Sequence, residues 1–525
     1  MRNKTAFSIT GRASRPSALT RAVASACLLV AAPSWAFNSG STGADGALNP
    51  AVNTEIQLPA SGILNYSSIN IPAGVTVTFK KNAANTPVYL LVSGAATIAG
   101  SINISGQDST NSGTYGDGNQ ADDGIPGVGG PGGFDGGRGG RDDQSQSPTI
   151  VRGGAGLGPG GGGGGTELAW SNCDSGRYEN SFGLGGAYAE KGSNFRYLDY
   201  ACSRTSANEA ADLAARPYGS SSLQPLIGGS GGGGGKGGTN YAGSGGGGGG
   251  GGILIAVSGT LTVPSGGSII SNGGSSGGIG GSGSGSAGAG GSGGAIRLIA
   301  SFFTGSGSLS AIGGCAFLTY ATREYCGSSN YNTLGGSIGR IRIEADNITY
   351  SGAASPPYVA DTPSAIFVTN VPALRIASVA GSNVPANPTG NADVTLPTSL
   401  VNPVTVNFET TNIPPGSTVE LRVVPAYGAV VKALSPAITG SNASGNTSVS
   451  INLPQGPSTL QAITSYTVTV AMGENLSRFA QNERVEKVEI IAGTSKTDST
   501  ARLITISGKS FDVPTSILQM VGFNG

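Results

Sequence analysis

Histidine is absent from all 525 residues. This removes the Ser-His-Asp and Cys-His devices and most metal-protease sites, each of which needs an imidazole as base or ligand. Carboxylate chemistry remains, as in polysaccharide hydrolases and lyases, where acidic side chains, or a basic one beside bound Ca²⁺, gather on one face. The densest acidic stretch holds Asp117, Asp122 and Asp123, with Asp135, Asp142 and Asp143 beyond it. Carboxylate oxygens suit Ca²⁺, so Asp117, Asp122 and Asp123 are the candidate metal ligands. The tandem GGxGGxD of residues 129–142 sets its acid one position out of step with the calcium-binding nonapeptide, which favours loop solvation, and no cofactor is expected beyond that one candidate ion. Glu344 and Asp346 alternate with Ile343 and Ala345, the pattern of a strand with one wet and one buried face. Arg297, between Ile296 and Leu298, follows the same rule. Residues 231–236 fall short of a phosphate loop, because Gly237 stands where Ser or Thr is required.

Cys173, Cys202, Cys315 and Cys326 follow a fifth cysteine, Cys27, that lies in an N-terminal apolar run. An even count in an exported chain points to disulfides. Pairing of Cys173 with Cys202 and of Cys315 with Cys326 is expected, since both pairs fall where the glycine-strand pattern breaks and a cross-link removes most disorder. Zinc is the competing reading, opposed by spacings that are not CxxC and by the missing histidine. Trp170, Tyr178, Tyr188, Tyr197 and Tyr200 crowd one insertion, about 166–227, in a chain that is only 6% aromatic. They form either a sugar- or protein-binding patch or a small satellite core covering the main scaffold.

The elements that must carry these residues are strands and glycine runs. Glycine supplies 93 residues, concentrated between Gly106 and Gly352, and that share argues against helices. Residues 62–79 read as three short strands with tight turns, and residues 88–105 repeat the unit; 253–274, 294–314 and 339–346 match it in kind. No such unit can bury its apolar edge alone, and stacking solves the problem. Between the units lie glycine runs and GGx triplets. These suit either extended polyglycine II helices with three residues per turn, paired with one another through N–H and Cα–H contacts, or flexible linker.

Arg2, Lys4, Arg12, Arg15 and Arg21 flank an apolar run ending in a small-x-small site at Ser34-Trp35-Ala36. Residues 1–36 therefore read as a signal peptide, the run being far shorter than the ~20 residues of a spanning helix. Its removal turns a neutral chain into one with five more acidic than basic residues, a poor match for nucleic acid. Localisation is expected to be secreted or cell-surface, extracellular or periplasmic, with no integral membrane segment in the mature chain. Composition changes after Gly352. Residues 353–372 read as a linker, and alternating strands over 373–525, separated by Pro-Pro-Gly, Ser-Gly-Asn and Pro-Gln-Gly turns, suggest an immunoglobulin-like β-sandwich.

The succession of a glycine run, Ile253 to Gly259, Gly267 to Gly274 and then Gly293 to Ala300 resembles exported bacterial glycine-rich parallel β-helix proteins of surfaces and matrices. The runs are also similar to the polyglycine bundles of phage tail-fibre adhesin tips and of a glycine-rich insect antifreeze protein. The resemblance spans about 62–352, is architectural, and implies surface display or adhesion. The expected fold is all-β: a parallel β-solenoid over 37–352 with glycine-rich, polyglycine II or flexible, insertions, then the sandwich. The expected function is that of a non-enzymatic surface or matrix protein, structural or adhesive, whose partners are copies of itself or cell-surface or matrix glycans or proteins. A carbohydrate-active β-helix enzyme is the alternative and ice binding a third reading.

Overall fold

The computed structural model describes residues 37–112, 124–141, 152–165, 182–192, 217–238, 242–278, 285–317, 324–325, 335–367, 372–385, 393–426, 430–467, 476–480, 483–491, 500–514 and 518. The stretch 1–36, read from the sequence as a signal peptide, lies outside them, and Phe37–Gly525 forms one compact unit. The described chain is almost entirely β, with one three-residue 3-10 turn at Ser477–Phe479.

The repeated units of the first 361 residues stack on one another as parallel strands. Ile63–Tyr66 pairs with Val88–Val92, which pairs with Gly252–Val263, then Ala295–Gly305, Arg340–Tyr350 and Val359–Asp361. A second parallel sheet runs beside it through Thr54–Gln57, Thr76–Lys80, Ser101–Asn103, Ser268–Ile270, Ser308–Ser310 and Ala353–Ser355. The 148 residues between Asn103 and Gly252 leave and return without breaking the register, as Ile102 still pairs with Ile269. Inward side chains form ladders at like positions. Leu64, Leu90, Ile255, Leu298 and Ile343 make one, and Val77, Ile102, Ile269 and Leu309 another, all in one buried cluster. Each such side chain contributes about 1.5–3 kcal/mol on leaving water.

The N-terminal halves of the long strands in the first sheet are buried on both faces. Leu91, Leu254, Ala256, Ala295 and Ile299 point away from that core into a second cluster with Tyr188, Tyr218, Leu223 and Leu226. Unbroken apolar runs such as Ile253–Val257 are what two covered faces require. The stretch 353–372, read as a linker, instead adds Ala353–Ser355 and Val359–Asp361 to the two sheets.

From Ala373 two antiparallel sheets enclose a separate core. One is built on Ala373–Val379, Val404–Thr411 and Ser444–Ile451, the other on Thr418–Pro425, Ser458–Thr467, Val485–Ile491, Thr500–Thr505 and Ser510–Pro514. Alternation along Val404–Thr411 buries Val404, Val406 and Phe408 against Val419, Leu421, Val488 and Leu503 of the other sheet. This part touches the first: the Gln461 amide donates to Gly158 O at 2.9 Å, and the Arg502 guanidinium, paired with Asp512 at 2.8 Å, donates to Pro217 O.

Candidate functional site: a glycine bundle beside the strand stack

The glycine-rich segments leave the strands and pack side by side in a bundle with a three-residue hydrogen-bond period. In the run 228–238, Gly229, Gly232 and Gly235 donate to Gly250, Gly247 and Ser244 at 2.7, 3.0 and 2.9 Å. The carbonyls of the same three accept from Phe134, Gly137 and Gly140 at 3.0, 2.8 and 2.8 Å. The residues between them turn to other neighbours: Gly231 to Leu157 and Gly162, Gly234 to Gly154 and Gly165, Gly233 to Leu184 and Ala289. One run is thus bonded to six segments at once, and this answers the demand that buried backbone polar groups be paired.

Space is what demands glycine here. None of the glycines in 228–237 or 243–252 has a φ in the left-handed region, so their conformation is open to other residues. A Cβ on Gly232, Gly233 or Gly247 would instead stand 2.2, 2.0 or 1.9 Å from a neighbouring carbonyl oxygen. Runs of pure glycine fill the interior. GGx triplets take the periphery, where Gly136, Gly137, Gly139 and Gly140 are buried while Asp135, Arg138 and Arg141 reach toward solvent. On one outer layer, side chains stand in for an absent neighbour. Ser105 Oγ, Asp108 Oδ1 and Asn111 Oδ1, three residues apart, accept from the backbone N–H groups of Asn272, Ser275 and Gly278 at 3.1, 2.6 and 2.8 Å. The glycine stretches are therefore hydrogen-bonded structure wherever they are described.

Of the aromatic candidates, Tyr188 is described, and it is buried. Its ring meets Tyr218 edge-on at 4.8 Å, its hydroxyl donates to Ile227 O at 3.0 Å, and the Arg340 guanidinium lies 5.7 Å over the ring. Burial pushes both phenols up. Tyr188 belongs to the satellite core rather than to a contact surface, because its ring and that of Tyr218 pack down onto the sheet. Trp170, Tyr178, Tyr197 and Tyr200 lie outside the described residues, as do Asp117, Asp122 and Asp123. Cys315 is disulfide-bonded; Cys173, Cys202 and Cys326 lie outside the described residues. Among the described residues no three His, Cys, Asp or Glu side chains come together as a metal site, and no helix is long and apolar enough to cross a membrane.

Comparison of the chain with protein families, curated proteins and solved structures finds no match. Function must then be argued from the chain's own geometry.

The charged strand face is the second feature, and it corrects an expectation. Glu344 is not solvated but fully buried, as is Arg297, and Arg342 is nearly so; only Asp346 is exposed. The chain after Val359 closes over this face. Arg297 grips Glu344 through Nε at 2.9 Å and Nη2 at 3.2 Å, Arg342 Nε reaches the same carboxylate at 2.7 Å, and Ser364 donates to it from backbone and hydroxyl at 2.8 and 2.7 Å. Arg342 Nη2 also holds Asp361 at 2.8 Å. Burial pushes the Glu344 carboxyl up, but Arg297, Ser364 and Arg342 outweigh it and hold it below the ordinary range. A hydrogen bond from Thr362 N–H and the Arg342 guanidinium lower Asp361 likewise. Glu344 and Asp361 are register partners on adjacent strands, the arrangement a carboxylate enzyme would use. Held ionised by arginines, with one of them sealed from solvent, this pair has no proton to give a leaving group near neutral pH. Alternation alone missed the network, since it cannot reveal a later segment lying across the wet face.

Proposed function

We propose that the protein is an exported, non-enzymatic surface or extracellular-matrix protein whose scaffold displays its insertions. In this reading the parallel stack is a solenoid, the glycine bundle a polyglycine II array, and the antiparallel sheets an immunoglobulin-like sandwich. One observation carries it. The bundle hydrogen bonds bring described residues that flank 113–123, 142–151, 239–241 and 279–284 together at the end of the glycine runs away from the parallel strands. Ser112 bonds Gly278 at 3.0 Å, Gly243 bonds Gly140 at 2.7 Å, and Ser286 bonds Lys236 at 2.6 Å, all at that end. A bundle whose interior is glycine apart from small side chains such as Ser230, Ser244, Ser292 and Ala289 spends little rotamer entropy on it, and its paired backbone makes a rigid base for presented segments. The signal peptide, the acidic mature charge and the resemblance to surface and matrix proteins support the location.

The test is binding of the exported protein to whole cells and a glycan panel, with sugar release assayed in the same wells. Binding without release, lost when residues 167–180 are replaced by a short Gly-Ser linker that leaves Tyr188 and the bundle segment 182–192 in place, is the expected outcome. Sugar release would overturn the non-enzymatic reading.

A further inference from the structure

A second surface of the stack presents a polar ladder. Asn70, Thr97, Thr262, Thr304 and Thr349 occupy one register position on successive strands. Neighbouring strands lie about 4.8 Å apart, so the ladder offers one hydroxyl or amide per strand. The file is fixed at its two ends, with Thr349 Oγ1 donating to Thr304 Oγ1 at 3.0 Å and Asn70 Nδ2 to Asn49 Oδ1 at 2.9 Å. Two residues back along the same strands a parallel file holds Thr260, Phe302 and Asn347. Phe302 is 53% exposed, while its neighbour Phe303 is buried in the core. None of the side chains in these two files is charged; the one exposed charge described beside them on these strands is Asp346, next to Asn347.

We propose that this face binds a neutral, extended β-1,4-linked glycan laid along the stack. Three features select that partner. With no cation in either file and one acid, Asp346, at the edge, the face matches an uncharged polymer and disfavours an anionic one. The strand spacing is close to the length of one pyranose unit in an extended β-1,4 chain, so each sugar meets the same Asn or Thr position. The exposed Phe302 ring gives an apolar platform on which the C–H face of a pyranose can lie while its equatorial hydroxyls reach Thr and Asn on the flanking strands. The Thr304–Thr349 and Asn49–Asn70 pairs, already fixed by their hydrogen bonds, lose little freedom on binding. The proposal rests on the reading of the protein as an adhesive surface or matrix component, and names what it adheres to.

Titration of the exported protein with cellohexaose by calorimetry, with pull-down on amorphous cellulose, tests it. Binding is expected in both, weakened about tenfold by Phe302→Ala and abolished by Thr304→Lys, which sets a charge in the middle of the ladder. Ser268→Lys, on the second parallel sheet, is expected to bind as the unaltered protein does. A flat isotherm, equal binding by the Phe302 and Thr304 variants, or loss in the Ser268 variant would each overturn the proposal. So would ice shaping that disappears in Thr304→Lys, which would assign the face to ice. Cell fractionation keeps the two readings apart. A surface-held protein with a flat isotherm defeats only the glycan assignment, whereas binding by a protein that cells do not export defeats only the display reading.

Discussion

Replacing Glu344 with Gln leaves Arg297 and Arg342 buried against a neutral amide. Breaking a buried ion pair from one side typically costs about 3–5 kcal/mol, because the remaining charge loses its compensation. Glu344→Gln should therefore lower the urea midpoint by an amount equivalent to about 3 kcal/mol. The pH dependence has a definite sign. The Glu344 carboxyl is lowered in the folded protein, so its contribution is complete above the ordinary carboxylate pKa of about 4.3 and is lost as pH falls through the lowered folded value. Acid melting curves should show that loss in the unaltered protein and a shallower one in Glu344→Gln. Tyr218 is a second single-residue case. Its hydroxyl donates to Gly228 O at 2.6 Å and accepts from Ser230 Oγ at 2.9 Å, tying the satellite core to the start of a glycine run. Tyr218→Phe should cost about 1 kcal/mol in the same denaturation assay.

At the scale of the element, the glycine segment differs from helix and strand in having no side chain to pack. Its stability comes from backbone pairing on several sides and from the close approach that pairing permits. Gly247→Ala puts a methyl 1.9 Å from Gly274 O and 2.4 Å from its carbonyl carbon. Both atoms are backbone, so a whole neighbouring segment must shift, and a loss of about 2 kcal/mol or more is expected. Val128→Ala, at an exposed triplet position, should stay within about 0.5 kcal/mol of the unaltered protein. Thermal unfolding followed by circular dichroism checks both, and equal effects at the two sites would show the bundle to be loosely packed. The sequence contained the distinction between these sites: pure glycine runs became interior segments and GGx triplets peripheral ones. It left open whether the runs are ordered, because a lone polyglycine II helix has no internal hydrogen bonds and order depends wholly on neighbours distant in the chain.

At the scale of the molecule, the bundle runs into the strand stack through backbone hydrogen bonds such as Gly251 N–H to Ile104 O and Ala295 N–H to Gly251 O, whereas among the described residues two side-chain hydrogen bonds join the antiparallel sheets to the rest. Gln461 bonds Gly158 O, and Arg502 bonds Pro217 O while pairing with Asp512. The double variant Gln461→Ala, Arg502→Ala removes both ties. Calorimetry should resolve one transition in the unaltered protein and two in the double variant, the lower belonging to the antiparallel part, where Asp512 has lost its counter-charge. A single transition in both would place the coupling elsewhere in the interface.

The sequence by itself determined the strands, their repeating units and the order of those units, because apolar periodicity and Gly or Pro turns act over a few residues. Leu298, Ile341 and Ile343 could be assigned to buried faces from alternation alone. It also determined the absence of imidazole chemistry. Only the tertiary structure decided the rest. Arg297 and Glu344 read as a wet face until the chain after Val359 covers them; Tyr188 read as a contact candidate until it turns down beside Tyr218. The Asn–Thr ladder is invisible in sequence, since its members are 27 to 165 residues apart and become neighbours only through the register of parallel strands. In each case the deciding contact is made by a segment remote in the chain, and local periodicity carries no information about which remote segment arrives.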